Sequence, residues 1–96
     1  MFSHNPRITC KDGFTISVQA HSGSYCKRND SGTPIKVECG FPSTTPKTVE
    51  LREYAEGFGY DDDLDYTETV YGYVPVEVVE AELAAHGGIA DGCLPS

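Results

Sequence analysis

The densest run of chemically active side chains is the heptapeptide YDDDLDY at residues 60–66. Its alternate aspartates, from Asp61 to Asp65, fit the first three ligand positions of an EF-hand calcium loop. The fit then fails, because the sixth position requires glycine and holds Tyr66, and the twelfth requires glutamate and holds Gly72. We therefore predict no EF-hand and no metal site, with a loose divalent-ion contact as the weaker alternative.

Two further interpretations apply to this run. A block of aspartates repels itself and is typical of a solvated loop. Alternatively, carboxylates on a scaffold can occupy a basic groove built for phosphates, because Arg and Lys pair with both groups through charge-assisted hydrogen bonds. Flanking tyrosines would then supply contact area at low entropic cost. The residues of this predicted partner-binding surface are Asp61, Asp62, Asp63, Asp65, Glu68, Glu53, Glu56, Tyr60 and Tyr66.

The net charge of −8 is distributed unevenly along the chain. The residues up to Lys47 include six Lys and Arg and three Asp and Glu, which gives a net charge of +3. From Thr48 onward Arg52 alone faces twelve acidic residues, which gives −11. Such asymmetry indicates an interaction surface or, more simply, a domain that stays soluble by keeping its net charge away from zero.

The same composition argues against several classes of function. Direct binding of nucleic acid or of anionic lipid would require an excess of Lys and Arg. No apolar run approaches the roughly 20 residues that span a bilayer. The first 25 residues lack the charged start and apolar stretch of a secretory signal. We therefore expect a protein of the cytoplasm, where thiols stay reduced.

Catalytic motifs are missing from the sequence. The three histidines are scattered, and His86 fits best as the last-turn residue of a helix. No Ser or Cys lies in a nucleophile elbow, and Gly57-Phe58-Gly59 is too short for a phosphate-binding loop. We predict a protein that is not an enzyme and uses no cofactor.

The four cysteines, Cys10, Cys26, Cys39 and Cys93, contain no C-x-x-C pair, which argues against a zinc site. Cys10 and Cys39 are predicted to be buried on strands, as free cysteines commonly are, and Cys93 to be exposed. A disulfide that joins Cys26 to Cys10 or to Cys39 is the alternative.

Alternating apolar residues predict strands of an antiparallel sheet. Asp12-Gly13 is a strong signal for a hairpin turn between the first two strands. Residues 21–33 are predicted to form a loop, and Thr48–Glu56 a short strand or a single helical turn. The predicted strands are Arg7–Cys10, Phe14–Ala20, Pro34–Gly40 and Tyr66–Tyr73, the last with a kink at Gly72.

One helix is predicted near the C-terminus. Val76, Val79 and Leu83 recur at helical spacing, and Gly87-Gly88 provides a stop signal. Pro75 suits the first turn, where its missing N–H is not needed. These apolar residues would face the sheet.

Together these elements define an α+β fold, in which an antiparallel sheet of three to five strands has one C-terminal helix packed on one face. We predict a single domain at residues 1–90, since the chain has no internal repeat and no low-complexity tract. Residues 91–96 are predicted to be a flexible C-terminal tail.

Three segments carry a resemblance to known proteins: Thr9–Ala20 (TCKDGFTISVQA), Val37–Ser43 (VECGFPS) and Thr69–Ile89 (TVYGYVPVEVVEAELAAHGGI). They resemble small uncharacterised proteins encoded by bacteriophages and prophages. The resemblance implies a phage-derived protein that acts in the cytoplasm of the bacterial host, and it assigns no functional residue. By analogy of class, small acidic phage proteins are often inhibitors of host defence, including anti-CRISPR proteins that mimic DNA.

The resulting hypothesis is an anti-CRISPR-like inhibitor that binds a basic nucleic-acid-binding surface of a host protein, such as a CRISPR effector. The first alternative is a phage structural or assembly accessory protein that oligomerises through a strand edge. The second is a small enzyme or metal protein.

Overall fold

The computed structural model describes residues 4–96, and it has the α+β class that the sequence predicts. Within these residues six antiparallel strands form one sheet, and a ten-residue helix packs against it. In chain order the elements are β1 (Ile8–Cys10), β2 (Thr15–Gln19), β3 (Lys27–Arg28), β4 (Pro34–Gly40), α1 (Val49–Arg52), β5 (Val70–Pro75), α2 (Val76–Ala85) and β6 (Ile89–Asp91).

Strand β4 is the centre of the sheet. One of its edges pairs with two strands. The end of β4 pairs with β2, where Cys39 lies opposite Val18, and the start of β4 pairs with β3. Strand β5 runs along the other edge, where Tyr71 lies opposite Cys39. Strand β1 continues the sheet beyond β2, and β6 pairs with the free edge of β1. Strands that are far apart in the sequence, such as β1 and β6, are therefore neighbours in the sheet.

The predicted hairpin between the first two strands is confirmed. Ile8 of β1 lies opposite Ile16 of β2, and both side chains are buried. The turn closes through a 3.0 Å hydrogen bond from Gly13 N–H to the Cys10 carbonyl. Gly13 has a φ of 94°, a left-handed conformation that glycine adopts without steric cost.

Two strands of the sheet were not predicted from the sequence. Strand β3 has only two residues, both exposed, within the region interpreted as a loop. Strand β6 includes Asp91, which the sequence interpretation assigned to the tail and which pairs with Thr9. Strands of two or three residues are too short to produce an apolar alternation that a sequence pattern can detect.

Strand β5 begins at Val70, later than predicted, and contains a β-bulge. Its register with β4 shifts so that Gly72 and Tyr73 together lie opposite one residue of β4. The φ of Tyr73 is 51°. Because of the extra residue, Tyr71 and Val74 are both buried in the core while Tyr73 is 52% exposed.

The helical predictions are confirmed, with shifted ends. The ambiguous segment after Thr48 forms a single helical turn, α1, and the Thr48 hydroxyl accepts a hydrogen bond from Leu51 N–H at its start. Helix α2 begins after Pro75, which is its N-cap residue, and ends before His86. In the region covered by the structure, no helix is long and apolar enough to cross a membrane.

Candidate functional site

The carboxylates of the predicted partner-binding surface are all exposed. We call them the acidic surface: Glu53, Glu56, Asp61, Asp62, Asp63, Asp65 and Glu68. The salt bridges found between residues 4 and 96 involve none of these seven side chains. Their negative charge is therefore not neutralised by a Lys or Arg partner within the described chain.

The acidic surface lies on a chain of hydrogen-bonded turns. Asp61 N–H donates to the Gly57 carbonyl at 2.9 Å, and the Asp61 carboxylate accepts from Asp63 N–H at 3.0 Å. The Asp65 carboxylate accepts from Thr67 N–H at 2.9 Å and from the Thr67 hydroxyl at 2.7 Å. The Thr67 hydroxyl and N–H hold the pKa of Asp65 below its usual value, so this carboxylate stays ionised.

Apolar contacts fix these turns to the domain. Leu64 and Tyr66 pack against the buried core. The hydroxyl of the fully buried Tyr71 donates a 2.6 Å hydrogen bond to the Tyr66 carbonyl. Tyr66 therefore connects the acidic surface to the core, whereas Tyr60, the other tyrosine predicted to contact a partner, is 79% exposed.

A second group of ionisable residues surrounds a buried histidine, and the sequence analysis did not single it out as a group. Glu82 of α2 is 1% exposed, and His86, the C-cap residue one turn later, is 3% exposed. His86 Nε2 lies 2.7 Å from Glu82 Oε2, and His86 Nδ1 lies 2.7 Å from Asp12 Oδ2. The spacing of Glu82 and His86 could have signalled a pair, but no local signal points to Asp12.

Glu82 is also bound by the backbone before α1. Its Oε1 accepts from Thr48 N–H at 2.9 Å and from the Thr48 hydroxyl at 2.7 Å, and its Oε2 accepts from Lys47 N–H at 2.8 Å. Burial alone would raise the pKa of Glu82, but these donors and His86 outweigh it and hold the pKa below its usual value. Glu82 is thus a buried anion that is fully hydrogen-bonded.

The geometry of this cluster is that of a structural clamp. Both nitrogens of His86 face carboxylate oxygens, so both ring nitrogens make contacts within the protein. Phe14 stacks on the imidazole with a centroid distance of 3.7 Å and an interplanar angle of 7°. A pocket of about 270 Å³ lies beside it, lined in part by Asp12 and Lys47. The cluster joins the β1–β2 turn, α2 and the segment before α1.

A groove of about 350 Å³ lies next to the acidic surface. We call it the tyrosine groove; its lining residues are Tyr25, Tyr54, Glu56, Val70, Gly72 and Tyr73. The rings of Tyr25 and Tyr73 are 6.0 Å apart between centroids. Tyr25 lies close over Gly72, where a Cβ would come within 3.3 Å of the Tyr25 Cβ. Tyr25 was not predicted as a site residue because its loop has no periodic pattern.

The cysteines are free thiols, so the alternative of a disulfide from Cys26 to Cys10 or Cys39 is wrong. The predicted burial of Cys10 and Cys39 and the predicted exposure of Cys93 are confirmed. Across residues 4–96 the structure has no group of three or more His, Cys, Asp or Glu side chains that could hold a metal ion. The fold and these surfaces define an α+β protein that carries seven exposed carboxylates between Glu53 and Glu68. Comparison with known proteins found no match to a family model, a curated protein or a solved structure.

Proposed function

We propose that this protein is a non-enzymatic inhibitor that binds a basic, nucleic-acid-binding surface of another protein through the acidic surface. The observation that carries the proposal is that seven exposed carboxylates have no salt bridge to a Lys or Arg in the described residues, and that hydrogen bonds within turns hold two of them, Asp61 and Asp65. Unneutralised charge at fixed positions is what a mimic of a phosphate backbone requires.

The expected binding energy has a clear physical source. Arg and Lys side chains that bind phosphates also bind carboxylates through short, charge-assisted hydrogen bonds. Opposite potentials on the two surfaces accelerate association, and the acceleration falls as salt screens the charges. We therefore expect an affinity that decreases steeply with ionic strength.

A CRISPR effector is the partner class that we propose first. Such effectors hold a guide–target duplex in a positively charged channel and contact mainly its backbone. A small acidic protein in that channel would compete with nucleic acid without reading any sequence. This choice also rests on the resemblance to phage-encoded proteins, and it implies action in the cytoplasm of a bacterial host.

The alternative of an accessory protein that oligomerises through a strand edge has less support. The edge strands β3 and β6 are short, with two and three residues. The outer edge of β5 is partly covered, because Ala55 forms a bridge with Tyr71 and Glu56 N–H donates to the Val70 carbonyl. Such edges offer few unpaired backbone groups to a second chain. Light scattering tests this alternative, which requires a dimer or larger species whose affinity depends little on salt.

The main experiment compares the wild-type protein with the triple variant Asp61→Asn, Asp62→Asn and Asp63→Asn. Asparagine keeps the side-chain oxygen that accepts from Asp63 N–H, so the turn is retained while three charges are removed. Each protein is immobilised and used to capture partners from a bacterial lysate at low and high salt. Captured proteins are identified by mass spectrometry and then challenged with duplex DNA.

The matched control is the triple variant Glu50→Gln, Glu77→Gln and Glu80→Gln, which removes the same charge from exposed positions outside the acidic surface. We expect a nucleic-acid-binding protein to be captured by the wild type and the control, released by DNA or salt, and lost with the aspartate variant. Equal affinity of the aspartate variant, or a partner that DNA does not displace, would contradict the proposal.

A further inference from the structure

We propose that the tyrosine groove binds the guanidinium group of an arginine side chain of the partner protein. The proposal rests on the proposed function in one respect, namely that the partner is basic. It adds a specific recognition site to an acidic surface that by itself would bind any cation.

The lining of the groove matches a planar cation. Tyr25, Tyr54 and Tyr73 line it, and the rings of Tyr25 and Tyr73 form a tilted pair with an interplanar angle of 38°. A guanidinium stacks on such faces through cation–π attraction, whereas an ammonium is more strongly hydrated and stacks less well. The groove is therefore expected to prefer Arg over Lys.

A carboxylate completes the site. Glu56 lines the groove and belongs to the acidic surface, so the groove is continuous with it. No Lys or Arg contributes to the lining, and Glu56 forms none of the salt bridges found in the described chain. A guanidinium stacked on a ring of the groove is expected to donate two parallel hydrogen bonds to this carboxylate.

Backbone hydrogen bonds and an uncommon backbone conformation hold Tyr25 and Tyr73 in place beside the groove. Tyr73 N–H donates to the Tyr25 carbonyl at 2.9 Å, and Tyr25 N–H donates to the Glu38 carboxylate at 3.2 Å. Tyr73 has a φ of 51°, a left-handed conformation that is uncommon for a residue other than glycine. Strained backbone of this kind is concentrated at binding sites. Gly72 provides the space in which Tyr25 approaches β5.

The test uses fluorescent hexa-arginine and hexa-lysine peptides, which carry equal charge, and measures the ratio of their dissociation constants. For the wild type we expect tighter binding of hexa-arginine. The variant Tyr54→Leu removes one ring, and the preference for arginine should fall about twofold to fivefold. Tyr54→Phe keeps the ring and should keep the preference. The side chain of Tyr54 is 38% exposed, so the variants should fold, which circular dichroism checks.

Two controls make the outcome decisive. Tyr60→Leu removes a more exposed ring outside the groove, and the arginine preference should not change. The aspartate triple variant should bind both peptides more weakly and leave the ratio of their dissociation constants unchanged. Failure of the acidic surface is therefore separable from failure of the groove. An arginine preference that persists in Tyr54→Leu, or that falls equally in Tyr60→Leu, would overturn the proposal.

Discussion

His86 Nδ1 lies 2.7 Å from Asp12 Oδ2, and this contact joins residues 74 positions apart in the sequence. It connects the end of α2 to the turn between β1 and β2. On the other side of the same ring, Nε2 contacts the buried carboxylate of Glu82. The imidazole therefore links the β1–β2 turn to a buried carboxylate of α2 through one contact at each ring nitrogen.

Removing the charge of Glu82 should destabilise the protein strongly. Each carboxylate oxygen accepts from a backbone N–H, of Thr48 on Oε1 and of Lys47 on Oε2, so the amide nitrogen in Glu82→Gln would face a donor in either orientation. We expect the free energy of unfolding to fall by about 3 kcal/mol. Urea denaturation followed by circular dichroism measures it. Glu80→Gln, on the exposed side of α2, should change the free energy by less than about 0.5 kcal/mol.

Stability should also decrease in acid. The pKa of Asp12 is lowered chiefly by the Phe14 N–H, with His86 and Lys47 adding to the effect, and hydrogen bonds lower that of Glu82. A carboxylate whose pKa is lower in the folded state than in the unfolded state stabilises the fold. This stabilisation is complete above the ordinary pKa values, 3.8 for Asp12 and 4.5 for Glu82, and it is lost as the pH falls through the lower pKa values of the folded protein.

The urea measurements, repeated at decreasing pH, check this prediction. The difference between wild type and Glu82→Gln should be largest near neutral pH and shrink as Glu82 of the wild type becomes protonated. Parallel loss of stability in the two proteins would show that Glu82 does not contribute to the acid response.

The turns under the acidic surface should depend on Gly57. Its φ is 98°, and a Cβ at this position would lie 3.3 Å from both Asp61 Cβ and Leu64 Cδ1. Gly59 has a similar φ of 88°, but a Cβ there would meet open space. In both Gly→Ala variants the free energy of unfolding should fall by about 1 kcal/mol, because alanine is strained in a left-handed backbone conformation. In Gly57→Ala it should fall further, because the new Cβ is crowded by Asp61 and Leu64. Equal losses in urea denaturation would contradict the packing argument.

The thiols should react in the order of their exposure. Burial raises the pKa of Cys39 strongly and that of Cys10 to a smaller extent, and both residues lie in the core. Labelling of the native protein with a thiol reagent should modify the exposed Cys93 first, with Cys39 reacting only on unfolding. In Cys93→Ser the fast phase should disappear. Fast modification of Cys39 in the folded protein would be inconsistent with its position in β4.

The sequence by itself determined the elements whose signals are local. The Asp12-Gly13 turn, the alternation of β2 and the periodicity of α2 each depend on residues within one element, so the α+β class followed from them. The exposed aspartates could also be named, because a run of like charges is unfavourable in a core.

Tertiary structure alone decided which distant residues meet. The bulge in β5 turns Tyr73 outward, and the loop containing Tyr25 brings its ring 6.0 Å from that of Tyr73. Asp12 and His86 meet because β1, β2 and α2 converge at one end of the fold. Such contacts arise from long-range packing, which leaves no periodic trace along the chain. The sequence therefore identified the acidic residues, and only the folded chain assembled the clamp and the tyrosine groove.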